Sequence, residues 1–145
     1  MKKMKQKGAL LARSPSLSSL VKIMDILLSP GGCPWDRRQT HSTLIKYLKE
    51  ESAEAALAVR KKDWANLKEE LGDVLLQVVF HSALARKEGI FTLSDVIRTV
   101  NAKMVRRHPH VFAGGGKLET PAQVLKEWAK IKKGEKARAA RRKKP

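Results

Sequence analysis

Glu51, Glu54, Glu70 and Asp73 are the residues of this chain whose type and spacing could do chemistry. They form two pairs, Glu51-x-x-Glu54 and Glu70-x-x-Asp73, with fifteen residues between the pairs. A spacing of three puts both acids of a pair on one face of a helix. Around them Leu44, Leu48 and Leu57, then Leu67, Leu71, Val74, Leu75, Val78 and Val79, recur at helical spacing. The basic turn Arg60-Lys61-Lys62 separates the two stretches, and the pattern predicts an antiparallel helical hairpin. Folding it about Lys62 sets Glu51 level with Asp73 and Glu54 level with Glu70. Packed helix axes lie about 8–10 Å apart, close enough for facing carboxylates to share a cation.

Two readings of the quartet compete. A solvated acidic face pairs with Lys or Arg at i+4, but those positions hold Ala55, Ala58, Val74 and Gln77. Four facing like charges repel unless a cation sits between them or some take up protons. All-oxygen ligation suits a hard ion such as Mg²⁺ or Mn²⁺, which commonly binds carboxylates together with substrate phosphates. Glu50 is adjacent to the quartet but rotated by about 100° around the helix. It could accept a proton or hold a second ion.

The elements that must position these groups are all helical. A first helix begins near Ser16 or Ser18 with Leu17, Leu20, Val21, Met24, Leu27 and Leu28 on one stripe, and Pro30-Gly31-Gly32 stops it. The hairpin helices run from about Ser42 to Arg60 and, capped by Asp63, from there to about Glu88, with Gly89 as terminator. The second is apolar over most of its circumference from Leu71 to Phe80, which predicts a central helix covered on several sides. Gln77 and His81 continue its acidic arc with neutral polar groups. A Thr92-x-x-Asp95 capping box opens a fourth helix to about Arg107. Its end carries Asn101, Lys103, Arg106 and Arg107, either a phosphate-binding cluster or a basic last turn complementing the helix dipole. Pro109 and the glycines 114–116 predict a loop, and Thr120-Pro121-x-Gln123 opens a fifth helix bearing Trp128. Trp35, in the loop after the first helix, either plugs the core or stacks on a planar ligand. The fold class expected is an all-α bundle of about five helices built around the acidic hairpin and completed by dimerisation.

With 145 residues, 42% of them hydrophobic, the chain is long enough for one domain with a real core. No apolar run approaches the roughly 18 residues that span a bilayer. No secretory signal is read at the N-terminus, so the expected location is cytoplasmic. The single Cys33 excludes an intrachain disulfide. The net charge of +17 is concentrated at the ends: residues 1–13 carry +5 and residues 130–145 carry +8. The organisation expected is a flexible basic tail over 1–15, a domain over 16–133 and a second basic tail over 134–145. Such tails could hold polyanions weakly through phosphate contacts without reading sequence.

The chain also resembles a known family. CPWDRRQTH at 33–41, EELGDVLLQVVFH at 69–81 and KMVRRHPHVF at 103–112 stand in the order found in the MazG family of nucleoside triphosphate pyrophosphohydrolases, an all-α superfamily whose ExxE…ExxD metal motif the two acid pairs match. The resemblance covers about residues 17–133 and implies hydrolysis of a nucleoside triphosphate to the monophosphate and pyrophosphate. It further implies Mg²⁺ on Glu51, Glu54, Glu70 and Asp73, with Mn²⁺ as a substitute. Lys103 and Arg107 match phosphate-binding positions, where they would neutralise charge on the leaving pyrophosphate. Trp128 matches a position that stacks on the base, and Lys132 follows one turn later as a further phosphate contact. Some members carry two such domains in tandem; one is present here, which makes a homodimer the expected assembly. The alternative is a basic-tailed helical bundle that binds nucleic acid or senses nucleotides without turnover.

Overall fold

The structure is a computed structural model that describes residues 2–114 and 116–142. Among the described residues all regular structure is helical: α1 (Lys2–Arg13), α2 (Leu17–Leu28), a 3₁₀ turn (Asp36–Arg38), α3 (His41–Lys61), α4 (Trp64–Lys87), α5 (Leu93–Arg107), α6 (Pro109–Phe112) and α7 (Pro121–Arg142). The chain divides inside α5 into two compact units, Met1–Val96 and Ile97–Pro145.

Side-chain caps and short turns set the first unit. Ser16 accepts from the Ser19 amide at 3.2 Å and starts α2. Thr40 and Thr43 form a reciprocal capping box, so α3 begins at His41. Lys62 ends α3 in the left-handed region at φ 56°, and Asp63 immediately caps α4 by accepting from the Asn66 amide. This two-residue link folds α4 back along α3. The far end of α4 closes in a Schellman motif, with Gly89 at φ 71° and the Ile90 amide donating to the Ala85 carbonyl at 2.9 Å.

Met24 from α2, Leu44 from α3, and Val79, Phe80, Ala83 and Leu84 from α4 form the core, with Leu20, Val21, Leu28, Tyr47, Leu76 and Leu93 packed around it. An exposed Asp25–Arg86 ion pair joins α2 to α4 beside it. The core therefore lies at the C-terminal half of α4. α2 has 12 residues against 24 in α4; at 1.5 Å per residue it spans about 18 Å of about 36 Å. Leu48, Leu57, Leu71 and Leu75, on the stripes expected to be covered, remain exposed because α2 stops short of them. Trp35 is half exposed and stands edge-on to Tyr47, so it does not plug the core.

Other departures from the sequence expectation concern the loop and the ends. The loop expected over 108–116 contains a helical turn, α6, because Pro109 occupies the first helical position, where its missing amide costs no hydrogen bond. The stretches expected as tails are largely helical: 2–13 form α1, and 134–142 continue α7. α1 lies against α2 and lines with it an apolar groove of about 260 Å³ between Leu11, Ala12, Ile23 and Leu27. α7 starts from the Thr120/Gln123 box and continues past Gly134 to Arg142, a run rich in the helix formers Ala, Lys and Arg.

Between α2 and the 3₁₀ turn the Cys33 amide donates to the Leu27 carbonyl at 2.8 Å, drawing the backbone tightly over the helix end. A Cβ at Gly32 would lie 2.1 Å from that carbonyl oxygen, whereas one at Gly31 meets nothing within 4 Å. Gly32→Ala is expected to destabilise the fold by about 1–3 kcal/mol, while Gly31→Ala leaves the denaturant midpoint close to wild type. Urea titrations of the two variants check the pair.

Candidate functional site

The α3/α4 hairpin carries the acidic cluster on the half that α2 leaves uncovered. One carboxylate oxygen each from Glu51, Glu70 and Asp73 lies within 4.8 Å of the others. Glu54 joins them through Glu70, with which it is within side-chain hydrogen-bonding reach. Loss of solvation, then the charges of Asp73, Glu54 and Glu50, push the Glu51 carboxyl above its ordinary range. Loss of solvation, then Glu54 and Glu51, do the same to Glu70. These groups hold protons more tightly than free carboxylates because each ionisation adds to a crowded negative field. A divalent cation removes that conflict, and the donor set is all oxygen, so the residues present fit a hard metal ion. Glu50 is exposed and contributes its charge to Glu51 without entering the trio.

Further along α4 the polar arc turns inward. Gln77 is buried, and Nδ1 of His81 lies 2.7 Å from Nδ1 of His41 with the rings stacked at 5.0 Å and 14°. One Nδ1 must donate and the other accept. Burial, then the neighbouring His41, lowers the His81 pKa, which keeps that imidazole neutral. The sequence pattern marks His81 on the polar arc of its helix, while His41 falls just before the expected start of the other helix at about Ser42. The signal for the pair lies in the hairpin itself, since both residues sit about twenty positions from Lys62.

The second unit holds the basic and aromatic candidates. Lys103 and Arg107 are one turn apart on α5, both half-buried. Arg107 donates from Nη2 to Oε2 of Glu135 at 2.7 Å and from Nε to Oε1 at 3.5 Å, and Arg106 donates to the same Oε1 at 2.7 Å. Hydrogen bonds from the two arginines bring the Glu135 pKa down to about 2. On α7, Lys132 stands 5.8 Å from the centre of the Trp128 ring. His108 meets the same ring edge-on at 5.0 Å and donates from Nδ1 to the Met104 carbonyl. The Arg107–Glu135 contact and the His108–Trp128–Lys132 contacts thus adjoin through the neighbouring residues Arg107 and His108. Glu135 and His108 are residues that the sequence reading misses, the first because it falls in a stretch read as tail.

Comparison with known proteins adds an independent line. A family model described as the MazG nucleotide pyrophosphohydrolase domain matches residues 39–112. The chain is 53% identical over 119 residues to a Thermotoga maritima protein named nucleoside triphosphate pyrophosphohydrolase/pyrophosphatase MazG, covering 82% of this chain and 45% of that one. It is 42% identical over 125 residues to the Escherichia coli K12 nucleoside triphosphate pyrophosphohydrolase, covering 86% of this chain and 47% of that one. The chain therefore spans about half the length of these relatives. Among solved structures, a mazG-related protein from Thermotoga maritima superposes with a TM-score of 0.67 at 32% identity, over 81% of this chain and 99% of that one. The chain belongs to the MazG nucleotide pyrophosphohydrolase domain family.

Proposed function

We propose that the chain hydrolyses nucleoside triphosphates to the monophosphate and pyrophosphate, with Mg²⁺, or Mn²⁺ in its place, held by Glu51, Glu54, Glu70 and Asp73. The convergence of these carboxylates carries the reading, since it is costly in a protein without a cation and useful in one that binds metal-chelated phosphates. When bound, the ion supplies positive charge to the triphosphate oxygens and lowers the pKa of water. A water oxygen bonds to the α-phosphorus while the bridging bond to the β-phosphate breaks and pyrophosphate leaves. Glu50, exposed and one position from the ligand set, takes the proton released by water. Lys103 and Arg107 neutralise charge on the leaving pyrophosphate, and Lys132 adds a further phosphate contact. Trp128 offers the base a π-face. The exposed apolar residues Leu48, Leu57, Leu71 and Leu75 support a homodimer as the working form, and the proposed location is the cytoplasm, where a nucleoside triphosphate substrate would be met.

Pyrophosphate release from a panel of triphosphates, with Mg²⁺ or EDTA, tests the assignment. Glu54→Ala and Asp73→Ala are expected to lose at least about a hundredfold in kcat/KM, because even groups that merely support a metal ligand cost about 10–100-fold. Near-normal turnover in either variant would falsify the site.

A second readout needs no turnover. Glu51 and Glu70 have folded-state pKa values raised above the unfolded 4.5. Their contribution to stability is therefore complete below that pH and lost as pH rises through the folded values. In EDTA at neutral pH, Glu70→Gln is expected to melt above wild type, with the gap closing in acid. Mg²⁺ raises the wild-type melting temperature and moves the variant less. Equal shifts of both proteins with Mg²⁺ would argue against the metal site.

A further inference from the structure

The second unit buries little apolar surface between its helices. α5 contributes no buried residue, and Val100, Met104, Val105 and Leu125 are exposed. α5 and α7 share no extended backbone packing among the described residues. Among the described residues, long side chains join them: Glu135 bridges Arg106 and Arg107, and His108 meets Trp128 edge-on. Trp128, Lys132 and Glu135 recur at i, i+4 and i+7, so all three lie along one face of α7. Lys103 and Arg107 lie along one face of α5.

We propose that Glu135 is a positioning residue for the triphosphate-binding cations. It takes Nε and Nη2 of Arg107, the edge that defines the plane of the guanidinium, and leaves Nη1 unengaged by the pair. A guanidinium gripped on that edge cannot rotate about its last side-chain bond, so its remaining donors reach phosphate without loss of rotamer freedom at binding. The contact is sheltered as well. Side-chain exposure is 24% for Arg107 and 22% for Glu135, against 49% for Arg106. Two arginines against one carboxylate leave the cluster with a net positive charge, so it still attracts a polyanion. Because the same carboxylate ties α7 to α5, it also fixes Trp128 and Lys132 with respect to Arg107. Its depressed pKa keeps it ionised through the range in which nucleotides are stable.

This inference rests on the reading of Arg107 as a phosphate-binding residue. The test is steady-state pyrophosphate release with Mg²⁺ and a triphosphate that wild type cleaves, on Glu135→Gln, Arg107→Ala and the double variant. Glu135→Gln is expected to raise KM about tenfold, the scale of a charge-assisted hydrogen bond, with a smaller change in kcat. The same substitution on the Arg107→Ala background is expected to add little, since the two act as one unit. Glu135→Asp keeps the charge one methylene short and should fall between, giving the result even where the Gln variant melts too low to assay. An unchanged KM, or equal losses with and without Arg107, overturns the proposal. A lowered KM also overturns it, since Glu135 would then compete with phosphate. If wild type releases no pyrophosphate from any triphosphate, the functional reading itself falls, and this inference with it.

Discussion

Four carboxylates that repel one another are fixed in place by a turn of two residues, and much of the first unit follows from that conflict. Lys62 in the left-handed region and the Asp63 cap leave α3 and α4 no freedom to slide. Glu51 must therefore face Glu70 and Asp73 whether or not this is favourable. Loss of solvation, then the repulsion of the neighbouring carboxylates, raises the pKa of Glu51 and Glu70 and favours their protonated forms. The repulsion is offset globally by the apolar core at the other end of the same hairpin, where Leu44 packs with Val79 and Phe80. One pair of helices thus carries a stabilising half and a strained half, a division common where function demands a locally unfavourable arrangement.

The length of α2 makes that division workable. A longer α2 would bury Leu71 and Leu75, and would also bring a helix over the half of the hairpin that bears the acids. A twelve-residue α2, begun at the Ser16 cap and ended at Ser29, covers only the core half and leaves the carboxylates reachable. The exposed leucines are the counterpart of this accessibility. Burying apolar surface is worth about 25 cal/mol per Å², so a partner that covers them stabilises the fold.

Much of this was legible in the sequence, for reasons that differ by element. Helical periodicity and capping residues are local signals, so Asp63, Gly89, the Thr92/Asp95 box and the Thr120/Gln123 box all mark helix ends where the structure has them, and of the two candidate caps Ser16 and Ser18 the structure uses Ser16. The convergence of the acids was legible because a hairpin with a tight turn converts sequence distance into spatial register. Coverage was not legible. Leu48 and Leu71 obey the same periodicity as Leu44 and Val79, and only the length of a third helix decides which are buried. α6 was missed because Pro reads as a breaker from the N-terminal side and as a starter from the C-terminal side.

The ends show a further limit. Net charge of +8 over residues 130–145 reads as a solvated tail, yet charge density says nothing of periodicity, and a Lys/Arg/Ala-rich segment continues a helix once one has started. Within that run a lone acid has a role that composition conceals. Glu135 is surrounded in sequence by cations but engages two that are nearly thirty residues away. In a unit whose apolar residues are largely exposed, such a contact has little competition from packing. A single carboxylate can then set the geometry of two helices, because few other side chains constrain it.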